Sequence, residues 1–132
     1  MPIRILMVDD STDFLLSAER VLATHSQIEV VGRATSGHDA LNLVSQLHPD
    51  LVLMDLSMPG MSGIEAARRI KSQAGSPLVV ILTMHDDSAS RAAAATAQTD
   101  GFIGKPVFVT EIFSLLQRLF PRRPNAPAGS IP

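Results

Sequence analysis

The feature that most constrains the fold of this chain is a series of short apolar runs that each end at a polar residue. The clearest runs are residues 3–8, 51–54, 78–82 and 101–104. Such runs, bounded by turn residues and separated by helical patterns, are typical of buried parallel strands. Ligands of an open parallel α/β sheet bind beyond the carboxyl ends of its strands, so the polar side chains are predicted to converge at one edge. These side chains are Asp9, Asp10, Asp55, Thr83 and Lys105.

Helical periodicity in the intervening segments predicts an alternating order of five strands and five helices. A further strand is predicted over residues 28–31, ended by Gly32. Apolar residues recur at helical spacing in five segments. These segments are residues 11–24, 38–47, 64–72, 87–97 and 110–120.

Length and composition limit the classes of protein that this chain can represent. A chain of 132 residues suits a single domain. The absence of cysteine excludes disulfides and thiol chemistry, and the net charge of −2 argues against direct nucleic-acid binding. No segment approaches the roughly 20 consecutive apolar residues that span a bilayer. We therefore predict a cytoplasmic protein without membrane association.

The last residues differ in composition from the rest of the chain. Residues 121–132 hold four of the nine prolines and few large apolar side chains. This composition predicts a folded domain over residues 1–120 and a disordered Pro-rich tail over 121–132.

Four motifs make the chain resemble the receiver domain of two-component response regulators. They are residues 5–10 (ILMVDD), 49–63 (PDLVLMDLSMPGMSG), 81–83 (ILT) and 101–106 (GFIGKP). Their order and spacing match the family over about residues 3–120. The resemblance implies an α/β, flavodoxin-like doubly wound (βα)5 fold with a five-stranded parallel sheet of order 2-1-3-4-5.

The resemblance also implies a phosphorylation site at the predicted sheet edge. Asp55 is implied to be the phosphoacceptor, because its carboxylate can attack phosphorus and form an acyl phosphate. Asp9, Asp10, Asp55 and the backbone carbonyl of Ser57 are the implied ligands of Mg²⁺, with Mn²⁺ as a substitute ion, since hard cations prefer oxygen.

Lys105 and Thr83 are implied to contact oxygens of the phosphoryl group. An ammonium on a flexible stem and a hydroxyl are both suited to this role. Phe102 is implied to act with Thr83 as a switch that moves on phosphorylation. Pro106 is a candidate for a preceding cis peptide bond, which is common in the family and would aim Lys105 inward.

The histidines divide into one candidate for function and three surface residues. His85 lies two residues beyond Thr83, and His85 and Ser57 are implied to tune the lifetime of the acyl phosphate. His25, His38 and His48 fall at predicted helix ends and are expected to face solvent.

The function implied is signalling, with self-catalysed phosphorylation and dephosphorylation and no enzymatic turnover of a separate substrate. The phosphoryl group would come from a sensor histidine kinase or a His phosphotransfer protein. Phosphorylation would switch binding of a downstream protein or a second copy through the fourth helix, fifth strand and fifth helix. The residues 107–109 (VFV) are expected to make that surface unusually apolar.

Two alternatives remain beside a stand-alone receiver, which we favour. The chain could be the isolated receiver fragment of a DNA-binding response regulator, with the tail as the start of a linker. It could also be a haloacid-dehalogenase-like phosphohydrolase, but that class needs a second Asp two residues after the nucleophile. Ser57 occupies this position, which argues against the phosphohydrolase.

Overall fold

A computed structural model describes residues 2–121 and contains one parallel sheet with helices on both faces. The strands are β1 (Ile3–Val8), β2 (Ile28–Ala34), β3 (Leu51–Asp55), β4 (Leu78–Thr83) and β5 (Gly101–Gly104). The helices are α1 (Thr12–Ala23), α2 (Gly37–Leu47), α3 (Gly63–Lys71), α4 (Ser88–Thr96) and α5 (Phe108–Leu119). The strand order β2-β1-β3-β4-β5 confirms the predicted fold class.

The sheet separates two apolar layers, because side chains of each strand alternate between its faces. In β1, Leu6 and Val8 pack on the layer that also contains α2 and α3. Ile5 and Met7 point the other way, into the layer shared with α1 and α5. All four side chains are fully buried, so the two layers hold the end of β1 in place under the predicted site.

Two predicted boundaries differ from the structure. Strand β2 does not end at Gly32 but continues to Ala34, with a register shift against β1 between Ile5 and Leu6. Helix α5 begins at Phe108, two residues before the predicted start, and a short 3₁₀ turn over Lys105–Val107 precedes it. Tertiary pairing and packing decide both boundaries, and local sequence patterns do not record them.

One histidine lies where sequence analysis did not place it. His25 was expected to face solvent, but it is only 5% exposed and its ring stacks on Phe113 of α5 at 5.3 Å. Burial lowers the pKa of His25. The prediction was wrong because the chain turns back beneath α5 directly after α1. His38 and His48 are exposed as expected.

Two further predictions concern the membrane and the end of the chain. Within residues 2–121, no helix combines the length and hydropathy that a transmembrane span requires. The predicted tail lies almost entirely outside the described residues, so its disorder stays a prediction.

Candidate functional site

The predicted strand-end residues meet at one edge of the sheet. Asp55 ends β3 and Thr83 ends β4, while Asp9 directly follows β1 and Lys105 directly follows β5. Parallel pairing of β1 with β3, β3 with β4 and β4 with β5 sets these strand ends side by side. Four strands therefore each contribute a polar side chain to the same small region.

Three carboxylates form the acidic part of this site. Oxygens of Asp9, Asp10 and Asp55 all lie within 4.8 Å of one another. Asp9 and Asp55 are buried and Asp10 is exposed. Asp9 Oδ1 accepts a hydrogen bond of 2.8 Å from the N–H of Ser11, the residue that caps α1. The cap thus orients one oxygen of Asp9 and leaves the other for the site.

The ammonium of Lys105 neutralises part of this negative charge. Its Nζ lies 2.6 Å from Asp9 Oδ2 and 3.1 Å from Asp55 Oδ1. Burial alone would lower the pKa of Lys105, but its hydrogen bonds to the two carboxylates and their charge raise it. Lys105 is therefore a cation that stays inside the site.

The same surroundings make Asp55 a weaker acid than an ordinary aspartate. Burial raises the pKa of Asp55 to about 6, and the negative charge of Asp9 adds to the rise while Lys105 opposes it. A perturbed carboxylate in a cluster of charged groups is characteristic of functional sites. Asp55 thus carries a charge that the protein alone only partly compensates.

The acidic cluster fits a hard divalent cation. Such ions bind carboxylate oxygens, and Mg²⁺ commonly uses one or two carboxylates together with waters. Beyond the ion pair with Lys105, the buried Oδ2 of Asp9 has no hydrogen-bond partner within residues 2–121. An oriented carboxylate oxygen of this kind is what a metal site requires, and Asp10 adds a third carboxylate from the exposed side.

Thr83 is held by the loop that follows β4. Its side chain is buried, and its Oγ1 accepts a hydrogen bond of 3.0 Å from the N–H of His85. His85 and Ser57 are both exposed. Their side chains are the ones expected to tune the reactivity of the site. The structure therefore ties Thr83 to the backbone of His85.

Phe102 of β5 is half-buried and pairs with Ile81, two residues before Thr83 on the neighbouring strand. The guanidinium of Arg91 in α4 sits 4.6 Å from the centroid of its ring. Arg91 also forms a bidentate ion pair with Asp86, at 2.5 and 2.7 Å. Phe102, the expected switch residue, is thereby connected to the same loop that binds Thr83.

The prediction of a cis peptide bond before Pro106 was wrong. Residues 2–121 contain no cis peptide bond. Pro106 instead occupies the first turn of the 3₁₀ helix, where a fixed φ and a missing N–H are tolerated, and a trans bond is the usual state before proline. Lys105 nevertheless points into the site, as its contacts with Asp9 and Asp55 show.

The expectation that residues 107–109 form an apolar docking surface was also wrong in part. Phe108 is only 3% exposed and packs edge-on against Phe14 of α1, with ring centroids 5.7 Å apart. Val107 and Val109 are exposed, at 40% and 64%. Helical geometry explains the difference, because Phe108 lies four residues before Ile112 and shares the buried face of α5 with it.

Sequence analysis missed one residue of the site. Phe14 reads as part of the apolar stripe of α1, yet Lys105 Nζ lies 4.6 Å from the centroid of its ring. Its position in the first turn of the helix after Asp9 and Asp10 was the available signal. Only the three-dimensional contact distinguishes it from an ordinary core residue.

Comparison with known proteins places these features in a family. The family model for the response regulator receiver domain matches residues 5–117. The response regulator protein VraR of Staphylococcus saprophyticus is 34% identical over 120 residues, which are 91% of this chain and 57% of that protein. A protein-glutamate methylesterase/protein-glutamine glutaminase of Myxococcus xanthus is 40% identical over 94 residues, 71% of this chain and 27% of that protein.

Structural comparison gives the same result for the fold. The receiver domain of the response regulator NarL from Mycobacterium tuberculosis superposes with a TM-score of 0.85 at 30% identity. The match covers 92% of this chain and 98% of that domain. In contrast, the chain spans about half the length of VraR, and a smaller part of the methylesterase.

Proposed function

Because the chain belongs to the family of response regulator receiver domains, we propose that it accepts a phosphoryl group on Asp55. The donor is a sensor histidine kinase or a His phosphotransfer protein. One observation carries the assignment of the residue: Asp55 is a buried carboxylate with a raised pKa that touches Lys105 beside two further carboxylates.

The reaction follows from the groups in the site. A carboxylate oxygen of Asp55 forms a bond to phosphorus, and the bond between phosphorus and the donor nitrogen breaks with its electron pair remaining on the donor. The product is an acyl phosphate on Asp55. The ammonium of Lys105, now 3.1 Å from Asp55, pairs with a phosphoryl oxygen, and the hydroxyl of Thr83 donates to another.

Asp9, Asp10, Asp55 and the backbone carbonyl of Ser57 would hold Mg²⁺, or Mn²⁺ in its place. Such an ion would supply positive charge that offsets the repulsion between the carboxylates and the incoming phosphoryl group, and Lewis acidity toward phosphoryl oxygens. The support for this proposal is the fit of the acidic cluster to a hard cation, argued above.

The output of the reaction is a change in partner binding. Thr83 gives up its hydrogen bond with the loop after β4 when it turns to the phosphoryl group, and Phe102 then rotates inward. These movements alter the face formed by α4, β5 and α5, which binds a downstream protein or a second copy. We place this activity in the cytoplasm, with no direct binding to nucleic acid.

The lifetime of the acyl phosphate is set by the side chains of Ser57 and His85. Both residues are exposed, and each lies two residues beyond a site residue, which supports a role in how water approaches the phosphorus. His85→Ala and Ser57→Asn should each change the half-life several-fold with nearly unchanged Mg²⁺ affinity. Half-lives equal to that of the native protein would remove both residues from the mechanism.

The domain acts as a phosphoacceptor, and we propose no turnover of a separate substrate. The methylesterase similarity covers only 27% of that relative, and the matched part of this chain is receiver sequence. The haloacid-dehalogenase-like alternative has no support, since Ser57 stands where that class needs a general acid.

Labelling with a small phosphodonor tests the proposal. With Mg²⁺ and acetyl phosphate, the native protein should gain one phosphoryl group that base or hydroxylamine removes, as expected of an acyl phosphate. Asp55→Asn should gain none, because its amide is not a nucleophile toward phosphorus. Labelling of this variant at native stoichiometry would refute the assignment of Asp55.

A further inference from the structure

Three groups surround the ammonium of Lys105. Two are the carboxylates of Asp9 and Asp55, at 2.6 and 3.1 Å. The third is the Phe14 ring, whose centroid lies 4.6 Å from Nζ. The Lys105 side chain is only 10% exposed, so these groups replace most of the water around the charge. An aromatic face attracts a cation, and the attraction strengthens as water is removed.

Phe14 has one further contact through its backbone and one through its ring. Its backbone N–H donates to the hydroxyl of Ser11, the cap of α1, at 3.2 Å. Its ring meets the Phe108 ring edge-on, with an interplanar angle of 76°, which is a favoured aromatic geometry. Phe108 is itself buried at the start of α5. The ring therefore has a packing partner of its own in Phe108, apart from its contact with Lys105.

The three neighbours of the ammonium differ in what happens to them during phosphoryl transfer. Asp55 is the reacting group, and both carboxylates are proposed metal ligands, so neither is a permanent partner of Lys105. The Phe14 ring neither ionises nor binds a hard cation. It is the one neighbour in the described structure that stays the same before and after Asp55 reacts.

We propose that Phe14 is a positioning residue for phosphoryl transfer, whose ring face keeps the ammonium of Lys105 directed into the site while the carboxylates change partners. Phe108 supports the ring from behind. This inference rests on the proposed function of Asp55 and Lys105. It assigns a role to a side chain that otherwise reads as part of the apolar core.

Substitutions that separate the aromatic face from apolar bulk test the role. Phe14→Leu keeps an apolar side chain but removes the face, and the rate of phosphorylation by acetyl phosphate should fall about three- to tenfold. Phe14→Tyr keeps the face and should restore most of the rate. A ring fluorinated at position 14 has nearly native shape but a weaker negative face, so its rate should lie between the two.

The matched control is Phe113→Leu on α5. Phe113 is also a half-buried aromatic residue, but it stacks on His25. Its substitution carries the same loss of aromatic packing without removing the ring next to Lys105. It should therefore leave the phosphorylation rate near that of the native protein.

A second measurement detects the contact without phosphorylation or metal. Lys71 and Lys105 are the only lysines of the chain, and Lys71 is paired with Asp100 at 2.8 Å, with no aromatic contact recorded in residues 2–121. In protein labelled with ¹³C at the lysine ε-carbon, the ring current of Phe14 should displace the Lys105 resonance. Phe14→Leu should abolish this displacement, Phe14→Tyr should keep it, and the Lys71 resonance should not move.

The two measurements separate failure of this inference from failure of the proposed function. The inference is overturned if Phe14→Leu is phosphorylated at the native rate, or if Phe14→Tyr is as slow as Phe14→Leu. It is also overturned if the chemical shift of the Lys105 resonance is the same in Phe14→Leu as in the native protein. If the native protein takes up no phosphoryl group, the proposed function is overturned, and the positioning role in transfer falls with it. The resonance then reports only whether Phe14 holds Lys105.

Discussion

At the scale of single residues, the account depends on the cost of keeping Asp55 charged. Its folded-state pKa of about 6 lies above its ordinary value of 3.8. Between these values the folded protein binds more protons than the unfolded chain, so stability falls as pH rises. The contribution of Asp55 is fully present below the lower value and lost above the higher one. The site is thus least stable, without metal, in the form that reacts.

Because the pKa of Asp55 is raised, Asp55→Asn should stabilise the metal-free protein in a pH-dependent way. The difference in free energy of unfolding between the variant and the native protein should grow by about 1–3 kcal/mol from about pH 4 to about pH 6. Above about pH 7 it should be constant, because Asp55 is then almost fully ionised in the folded protein as well. Denaturant titrations in chelator at several pH values measure it. A difference that does not change with pH would contradict a raised pKa at Asp55.

At the scale of secondary-structure elements, the close approach of β3 and α3 positions Asp55. A Cβ added at Gly63, the first residue of α3, would lie 1.8 Å from the carbonyl oxygen of Asp55. The Gly63 N–H also donates to the carbonyl of Leu56 at 2.9 Å. The loop between the strand and the helix therefore folds back tightly on the end of β3, and no side chain fits between them.

Gly63→Ala should therefore displace the end of β3 and destabilise the fold by at least about 2 kcal/mol, because backbone atoms must move to relieve the overlap. It should also slow phosphorylation of the fraction that remains folded. Gly104→Ala is the matched control for stability, since its Cβ would meet no atom closer than 3.7 Å. Equal stability of the two variants by denaturant titration would show that the approach is not as tight as described.

The face formed by α4, β5 and α5 is less apolar than residues 107–109 suggested. A groove of about 380 Å³ on this face is lined by Arg91, Phe102 and Arg118 among others. Phe108 does not belong to it, because that ring is buried against Phe14. Phe108→Asp would place a carboxylate in the core, so it cannot serve as a probe of docking.

Charge reversal at Arg118 is the better probe of partner binding. Arg118 is exposed near the end of α5, so Arg118→Glu should leave Asp55 phosphorylation intact. It should weaken association of the phosphorylated protein with its partner or a second copy. Sedimentation or a pull-down measures this, with Arg20→Glu on α1 as the matched reversal. Native association of the Arg118 variant, or loss with Arg20→Glu alone, would place the partner elsewhere.

At the scale of the whole molecule, the sequence predicts the features that follow from the order and direction of the strands. Strand ends of a parallel sheet meet at one edge, so Asp9, Asp55, Thr83 and Lys105 could be placed together from their positions after apolar runs. The family match over residues 5–117 confirms the assignment of the receiver class.

Other features depend on side-chain directions that sequence patterns do not determine. His25 is buried against Phe113 of α5 and Phe108 against Phe14 of α1, and local composition does not record these contacts. Tertiary structure likewise determines the trans bond before Pro106 and the position of the Phe14 ring beside Lys105. The hydrophobic pattern identifies the inner faces of the helices but not which residue on such a face touches the site.

Locating the phosphoryl group on the chain tests the central claim most directly. Borohydride reduces an aspartyl phosphate to homoserine, which peptide mass spectrometry can assign to one residue. After treatment with acetyl phosphate and Mg²⁺, homoserine should appear at position 55 alone, and chelation of the metal should prevent it. Homoserine at Asp9 or Asp10, or a phosphorylated protein that yields none, would contradict the assignment of Asp55 as the phosphoacceptor.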